Sequence, residues 1–240
     1  MRVREKILLD KDALVKYGAI NIVIFGDSIS HGAINGYQDY ESVYWNRLRQ
    51  KLNKFRDYIP VNMINSAIGG TTAKQSLKRL DSQVLKYEPD LVIVCFGLND
   101  ANGTLDDYTY ALGEIFKRCK ASGTEVIFMT PNMLNTRVAE DTSRGLVEYA
   151  KKTCEIQNSG KMDEFMSEAV ALACEMGVTV CDCYSKWKTL SATQDITELL
   201  ANRINHPTPE MHELFAEELY RVIMGDGENT AKNESTMFVG

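Results

Sequence analysis

The segment Asn21-Ile22-Val23-Ile24-Phe25 is apolar without a break from Ile22 and rich in β-branched residues, and Gly26-Asp27-Ser28 ends it with turn residues. A strand that is apolar at consecutive positions is buried on both faces, as in a parallel sheet covered by helices on each side. Four further runs read as strands, Val61–Asn65, Leu91–Phe96, Glu125–Thr130 and Val178–Cys183, and most of the five are continuous rather than alternating. Between and after them, apolar residues recur at helical spacing over Ser42–Phe55, Thr72–Tyr87, Leu105–Ser122, Lys161–Met176 and Pro209–Ile223. Alternating strands and helices predict an α/β fold, a three-layer α/β/α sandwich of the flavodoxin-like type with a five-stranded, mostly parallel sheet. In such a sheet, ligands sit beyond the carboxyl ends of the strands, so the residues that follow each strand are the candidates for chemistry.

The 240-residue chain is 44% hydrophobic and 25% charged, within the range of one globular domain. Residues 1–224 are expected to form that domain and residues 225–240, rich in Gly, Asn, Thr and Glu, a flexible tail. A formal charge of −6 without a compensating basic cluster argues against nucleic acid as a partner. No stretch approaches the roughly 18 apolar residues of a membrane span, and no signal-peptide core follows the amino terminus, so the expected location is the cytoplasm. The six cysteines are expected to be reduced, with Cys95, Cys181 and Cys183 lying in strands. Cys181 and Cys183 would share one strand face and serve packing, since no second Cys or His pair at metal-ligand spacing accompanies them. The stretch Asn132–Gly160 reads as a loop plus a helix near the site, a place for substrate preference.

Four places carry chemistry, three of them directly after strands and the fourth in the loop before the last helix. Ser28 sits in Phe25-Gly26-Asp27-Ser28-Ile29-Ser30, where a tight turn presents a hydroxyl at the sheet edge and aims its own N–H at a developing oxyanion. A Gly-Asp-Ser tripeptide alone equally suits an ordinary turn that caps a helix. Asn65-Ser66-Ala67-Ile68-Gly69-Gly70-Thr71-Thr72 offers a glycine pair whose backbone N–H groups, Gly70 above all, can face the site. Phe96-Gly97-Leu98-Asn99-Asp100 brings the Asn99 amide to the same edge; one preorganised donor of this kind is worth about 3–4 kcal/mol in a transition state. Of the three histidines, His206 in Asn205-His206-Pro207 lies in a loop able to lean over the first strand's serine. His31 is too close to Ser28 in sequence for a good approach but can line the pocket, and His212 falls within the last helix as a surface or packing residue.

In this order, Gly26-Asp27-Ser28, Gly69-Gly70, Gly97-x-Asn99-Asp100 and His206-Pro207 resemble the four blocks of the SGNH (GDSL-like) hydrolases, from Asn21 to about Tyr220. The resemblance implies a serine esterase with Ser28 as nucleophile and first oxyanion donor, Gly70 and Asn99 as further donors, His206 as base, Asp27 as a structural residue, and neither metal nor organic cofactor. It also implies a small-molecule ester substrate, short acyl groups such as O-acetyl on a sugar. Tyr37, Tyr40 and Trp45 offer rings to stack on a sugar, although aromatics at helix-like spacing are more often core. Lysophospholipid or thioester substrates, and a non-catalytic carbohydrate- or lipid-binding relative, share the scaffold. One position departs from the pattern: the family's Asp three residues before the histidine is Arg203 here. Either a Ser28–His206 dyad uses a backbone carbonyl as orienter, or a carboxylate comes from elsewhere, with Asp195 and Glu198 as candidates.

Overall fold

A computed structural model describes residues 1–55 and 59–225; the expected tail lies outside the described residues except for Gly225. Two short helices, α1 (Val3–Ile7) and α2 (Lys11–Tyr17), precede β1 (Ile20–Gly26), α3 (Ser28–His31), α4 (Tyr44–Phe55) and β2 (Val61–Asn65). Then come α5 (Ala73–Leu77), α6 (Leu80–Gln83), β3 (Leu91–Cys95), α7 (Leu105–Ala121) and β4 (Glu125–Met129). The chain ends through α8 (Val147–Asn158), α9 (Lys161–Glu175), β5 (Thr179–Cys181), α10 (Cys183–Ser191) and α11 (His212–Met224).

All five strands are parallel, in the order β2-β1-β3-β4-β5. Ile22 to Phe25 in β1 and Leu91 to Cys95 in β3 are fully buried, which is why their sequences do not alternate. On one side α11 packs on α4, flanked by α1 and α10; on the other, α5, α7, α9 and α8 pack in succession. Right-handed crossovers require this split, because the chain moves outward from β1 to β2 and then back across to β3, β4 and β5. The reversal falls between β1 and β3, whose pairing ends at Gly26 and Cys95, and in sheets of this kind ligands bind beyond the strands at that reversal.

The structure corrects the sequence reading in several places. The expected strand over Val178–Cys183 stops at Cys181, because the Asp182 carboxylate accepts the Ser185 N–H and caps α10, which begins at Cys183. Cys183 is therefore helical, although its sulfur still lies 3.7 Å from that of Cys181. The expected single helix Thr72–Tyr87 is broken at Arg79, whose buried guanidinium turns inward to donate to Ser66 O and Ser76 Oγ and lies 4.7 Å from the Phe25 ring centre. The charged amino-terminal stretch folds as α1 because Lys6 Nζ reaches both Asp90 oxygens, at 2.8 and 2.9 Å, and Ala19 O at 2.9 Å.

Gly26 marks how tightly the first turn is packed. A methyl group there would contact Ser30 Oγ and stand 2.6 Å from the Cys95 carbonyl oxygen, inside any tolerable separation. Gly26→Ala is expected to destabilise the fold by about 1–3 kcal/mol, the usual range for overpacking. A urea melt reads this as a lower midpoint at unchanged slope; an unchanged midpoint would show that the turn has room to spare.

Candidate active site

The site is built on three adjacent strand ends. After β1, the Asp27 carboxylate accepts the Ile29 N–H at 3.0 Å and caps α3, which places Ser28 at its first position with the unpaired N–H of a helix start. Gly32, at φ +87°, closes that turn in the left-handed region. The chain then forms a small hairpin in which Ala33 bridges Gln38 and Ile34 N–H donates to Tyr37 O at 2.9 Å. The hairpin turns the Ile34 carbonyl toward the histidine loop.

That loop runs between Leu200 and Pro207, which bridge each other, and Ala201 N–H donates to His206 O at 2.7 Å. His206 Nε2 lies 3.0 Å from Ser28 Oγ, and His206 Nδ1 lies 2.9 Å from Ile34 O. A carbonyl oxygen only accepts, so Nδ1 carries the hydrogen and the neutral ring's Nε2 is left as an acceptor for the Ser28 hydroxyl. Burial lowers the His206 pKa from its ordinary 6.5, offset in part by the Ile34 hydrogen bond. The ring is thus neutral at pH 7 and able to take a proton.

The other strand ends close around this pair. Gly70 follows β2 at φ +76°, a backbone conformation that disfavours side chains, and among the described residues its N–H has no protein acceptor. A methyl group at Gly69 would stand 3.6 Å from both Ser28 Cβ and His31 Nδ1, so these two side chains flank the same glycine. After β3, Asn99 Nδ2 donates to Asp27 Oδ2 at 3.1 Å and to Thr71 O at 3.2 Å, tying the three loops together. Beneath it, burial pushes the Asp27 and Asp100 carboxyls up to about 7, and Asp100 Oδ1 accepts the Ala73 N–H.

Neither carboxylate suggested as a third member reaches His206. Asp195 accepts from Arg137 Nε at 2.5 Å and Glu198 pairs with Arg137 and Arg203, because these cations lie on the loop's outer side. Arg203, at φ +59°, also holds Asp141 at 3.0 Å. His31 bonds Tyr40 through Nε2 at 3.3 Å, and His212 is fully buried, stacked on Tyr44. Tyr37 and Tyr40 are exposed, whereas Trp45 donates its indole N–H to Ser30 O at 2.9 Å and belongs to the framework. Ile34 was invisible to sequence reasoning, since its contribution is a backbone atom. Asn202, which organises the histidine loop, was missed although an Asn four residues before the histidine is a turn-forming signal.

Residues 24–214 match the GDSL-like lipase/acylhydrolase family. The chain belongs to that family. It is therefore a carboxylic ester hydrolase of the SGNH type. Its fold is shared with Axe2, an acetylxylan esterase from Geobacillus stearothermophilus, at 20% identity and a TM-score of 0.67 over 86% of this chain and 95% of that one. It is shared likewise with a lipase/acylhydrolase from Enterococcus faecalis, at 24% identity and a TM-score of 0.66 over 86% and 96%. A sequence relative, the uncharacterised lipoprotein YqeF of Bacillus subtilis, is 29% identical over 85 residues, covering 35% of this chain and 33% of the relative, so the match spans a third of that protein's length. Among the described residues no helix is long and apolar enough to cross a membrane.

The geometry makes a specific spectroscopic prediction. Nitrogen-15 NMR of His206 is expected to show a single neutral tautomer with its proton on Nδ1 and a titration midpoint below 6.5. A midpoint above that value would show that a carboxylate has replaced the Ile34 carbonyl as partner, and a proton on Nε2 would show that Nδ1 does not donate to that carbonyl.

Proposed function

We propose that the protein hydrolyses short-chain acyl esters, O-acetyl groups on a carbohydrate above all, through a Ser28–His206 dyad and an acyl-enzyme. The observation that carries the reading is the pair of contacts on one imidazole, Nε2 to Ser28 Oγ at 3.0 Å and Nδ1 to Ile34 O at 2.9 Å. Ser28 Oγ attacks the ester carbonyl as its proton passes to His206 Nε2. The tetrahedral oxyanion is received by the Ser28 and Gly70 N–H groups and by the Asn99 amide. Asn99 must exchange one existing bond to do so, and the longer one, 3.2 Å to the Thr71 carbonyl, is the one to yield to the charged oxyanion. His206 then gives its proton to the departing alkoxide, and the same nitrogen activates the water that releases the acid.

In this scheme the imidazolium has a carbonyl dipole beside it and no carboxylate, so it is less stabilised than in a Ser-His-Asp triad. A low histidine pKa partly compensates by keeping the base free at neutral pH. The acetylated carbohydrate is supported by the fold shared with an acetylxylan esterase and by the exposed rings of Tyr37 and Tyr40 on the segment after Ser28. The six cysteines, all unpaired, fit a reducing compartment, and we place the reaction in the cytoplasm.

The test is hydrolysis of p-nitrophenyl acetate, butyrate and octanoate by wild type and Ser28→Ala at matched concentrations. Turnover is expected to fall from acetate to octanoate and to vanish in Ser28→Ala. Equal rates for both proteins would remove Ser28 from the chemistry, and a preference for octanoate would replace acetylated sugars by lysophospholipids or acyl thioesters.

A further inference from the structure

The loop that carries His206 is organised around one side chain. Asn202 Oδ1 accepts three consecutive backbone N–H groups, from Ile204 at 3.1 Å and from Asn205 and His206 at 3.0 Å each. Its Nδ2 donates to Asn205 Oδ1 at 2.8 Å, so both ends of the amide are used inside the same turn. From outside, Asn132 Nδ2 donates to Asn205 O at 2.9 Å and Asn135 N–H to Ile204 O at 2.9 Å. Arg203 occupies the left-handed region with its guanidinium directed to Asp141 and Glu198. The position from which a carboxylate would serve the histidine is thus turned away from it, while the preceding residue grips the histidine's own N–H.

We infer that Asn202 is the positioning residue for His206, supplying through the backbone the orientation that a carboxylate would supply through the ring. Three N–H groups converging on one oxygen fix the φ and ψ angles of residues 204–206 and so the direction in which the imidazole leaves the chain. With the ring anchored only by a carbonyl at Nδ1, this turn sets the approach of Nε2 to Ser28 Oγ. A nitrogen displaced by about 1 Å costs about 10²-fold in rate. Asn202 touches neither Ser28 nor the imidazole in this arrangement, so substrate binding is independent of it.

The inference rests on the Ser28–His206 reading, and wild-type turnover lost in Ser28→Ala tests that reading separately. The variants are Asn202→Ala, which removes the acceptor, and Asn202→Asp, which keeps an oxygen for the three N–H groups and adds a negative charge near the histidine. On p-nitrophenyl acetate, Asn202→Ala is expected to lower kcat about 10- to 100-fold at unchanged KM, for the misplacement reason above. Asn202→Asp is expected to retain kcat within a few-fold and to move the acid limb of the kcat/KM profile to higher pH. Wild-type kcat in Asn202→Ala, or equal losses in both variants, would overturn the inference. Should Asn202→Ala not fold, the Asp variant decides alone: a retained kcat with a raised acid limb supports the positioning role, and an unmoved limb or lost kcat rejects it.

Discussion

A backbone carbonyl can only accept a hydrogen bond, and the Ile34 carbonyl faces His206 Nδ1 at 2.9 Å. This one contact selects the tautomer, leaves Nε2 free to face Ser28, and makes a third side chain unnecessary for holding the ring. What it does not provide is charge. The His206 ring, half-buried and beside a dipole rather than a carboxylate, has a lowered pKa instead of a raised one. In the proposed Ser28–His206 dyad, a base built this way is available at lower pH but weaker, a different compromise from the Ser-His-Asp arrangement.

The sheet explains why that contact can form. With the order β2-β1-β3-β4-β5, the chain reverses direction between β1 and β3, and three loops meet above the gap. Gly26 lets the first turn lie against the Cys95 carbonyl, so Ser28 begins a helix directly over the strand end. Asn99 then joins the first loop to the second by bonding Asp27 and Thr71. The buried carboxyls of Asp27 and Asp100, with pKa values near 7, are the cost of gathering so many backbone donors in a dry place.

The fold was legible because β1 and β3 are apolar at every buried position, a pattern that exposed or two-faced strands do not give. The helix breaks were not, because they depend on single polar contacts across the structure. Arg79 bends the chain for Ser66 O, and Asp182 starts a helix where Cys181 and Cys183 looked like one strand face. In the site, Ser28, Gly70 and Asn99 stand out in the sequence by their place after strands and His206 by the order of the blocks, and the structure brings Ser28 and His206 within hydrogen-bond distance. The partner of His206 was left open between a carbonyl and a carboxylate. Asp195 and Glu198 had the right chemistry and the wrong side of the loop, where Arg137 and Arg203 take them. Composition does not reveal which side of a loop a charge occupies.

Membership of the GDSL-like lipase/acylhydrolase family accounts for the retained blocks, and Arg203 is where this chain leaves the pattern. The proposed mechanism requires Ser28 to be an activated nucleophile despite that departure. Covalent labelling with a fluorophosphonate, located by peptide mass spectrometry, tests it most directly, because the reagent requires an activated hydroxyl and not merely a pocket. One adduct per chain is expected, on Ser28, forming much more slowly in His206→Ala. An adduct on another residue, or labelling of Ser28 at the same rate without His206, would contradict it.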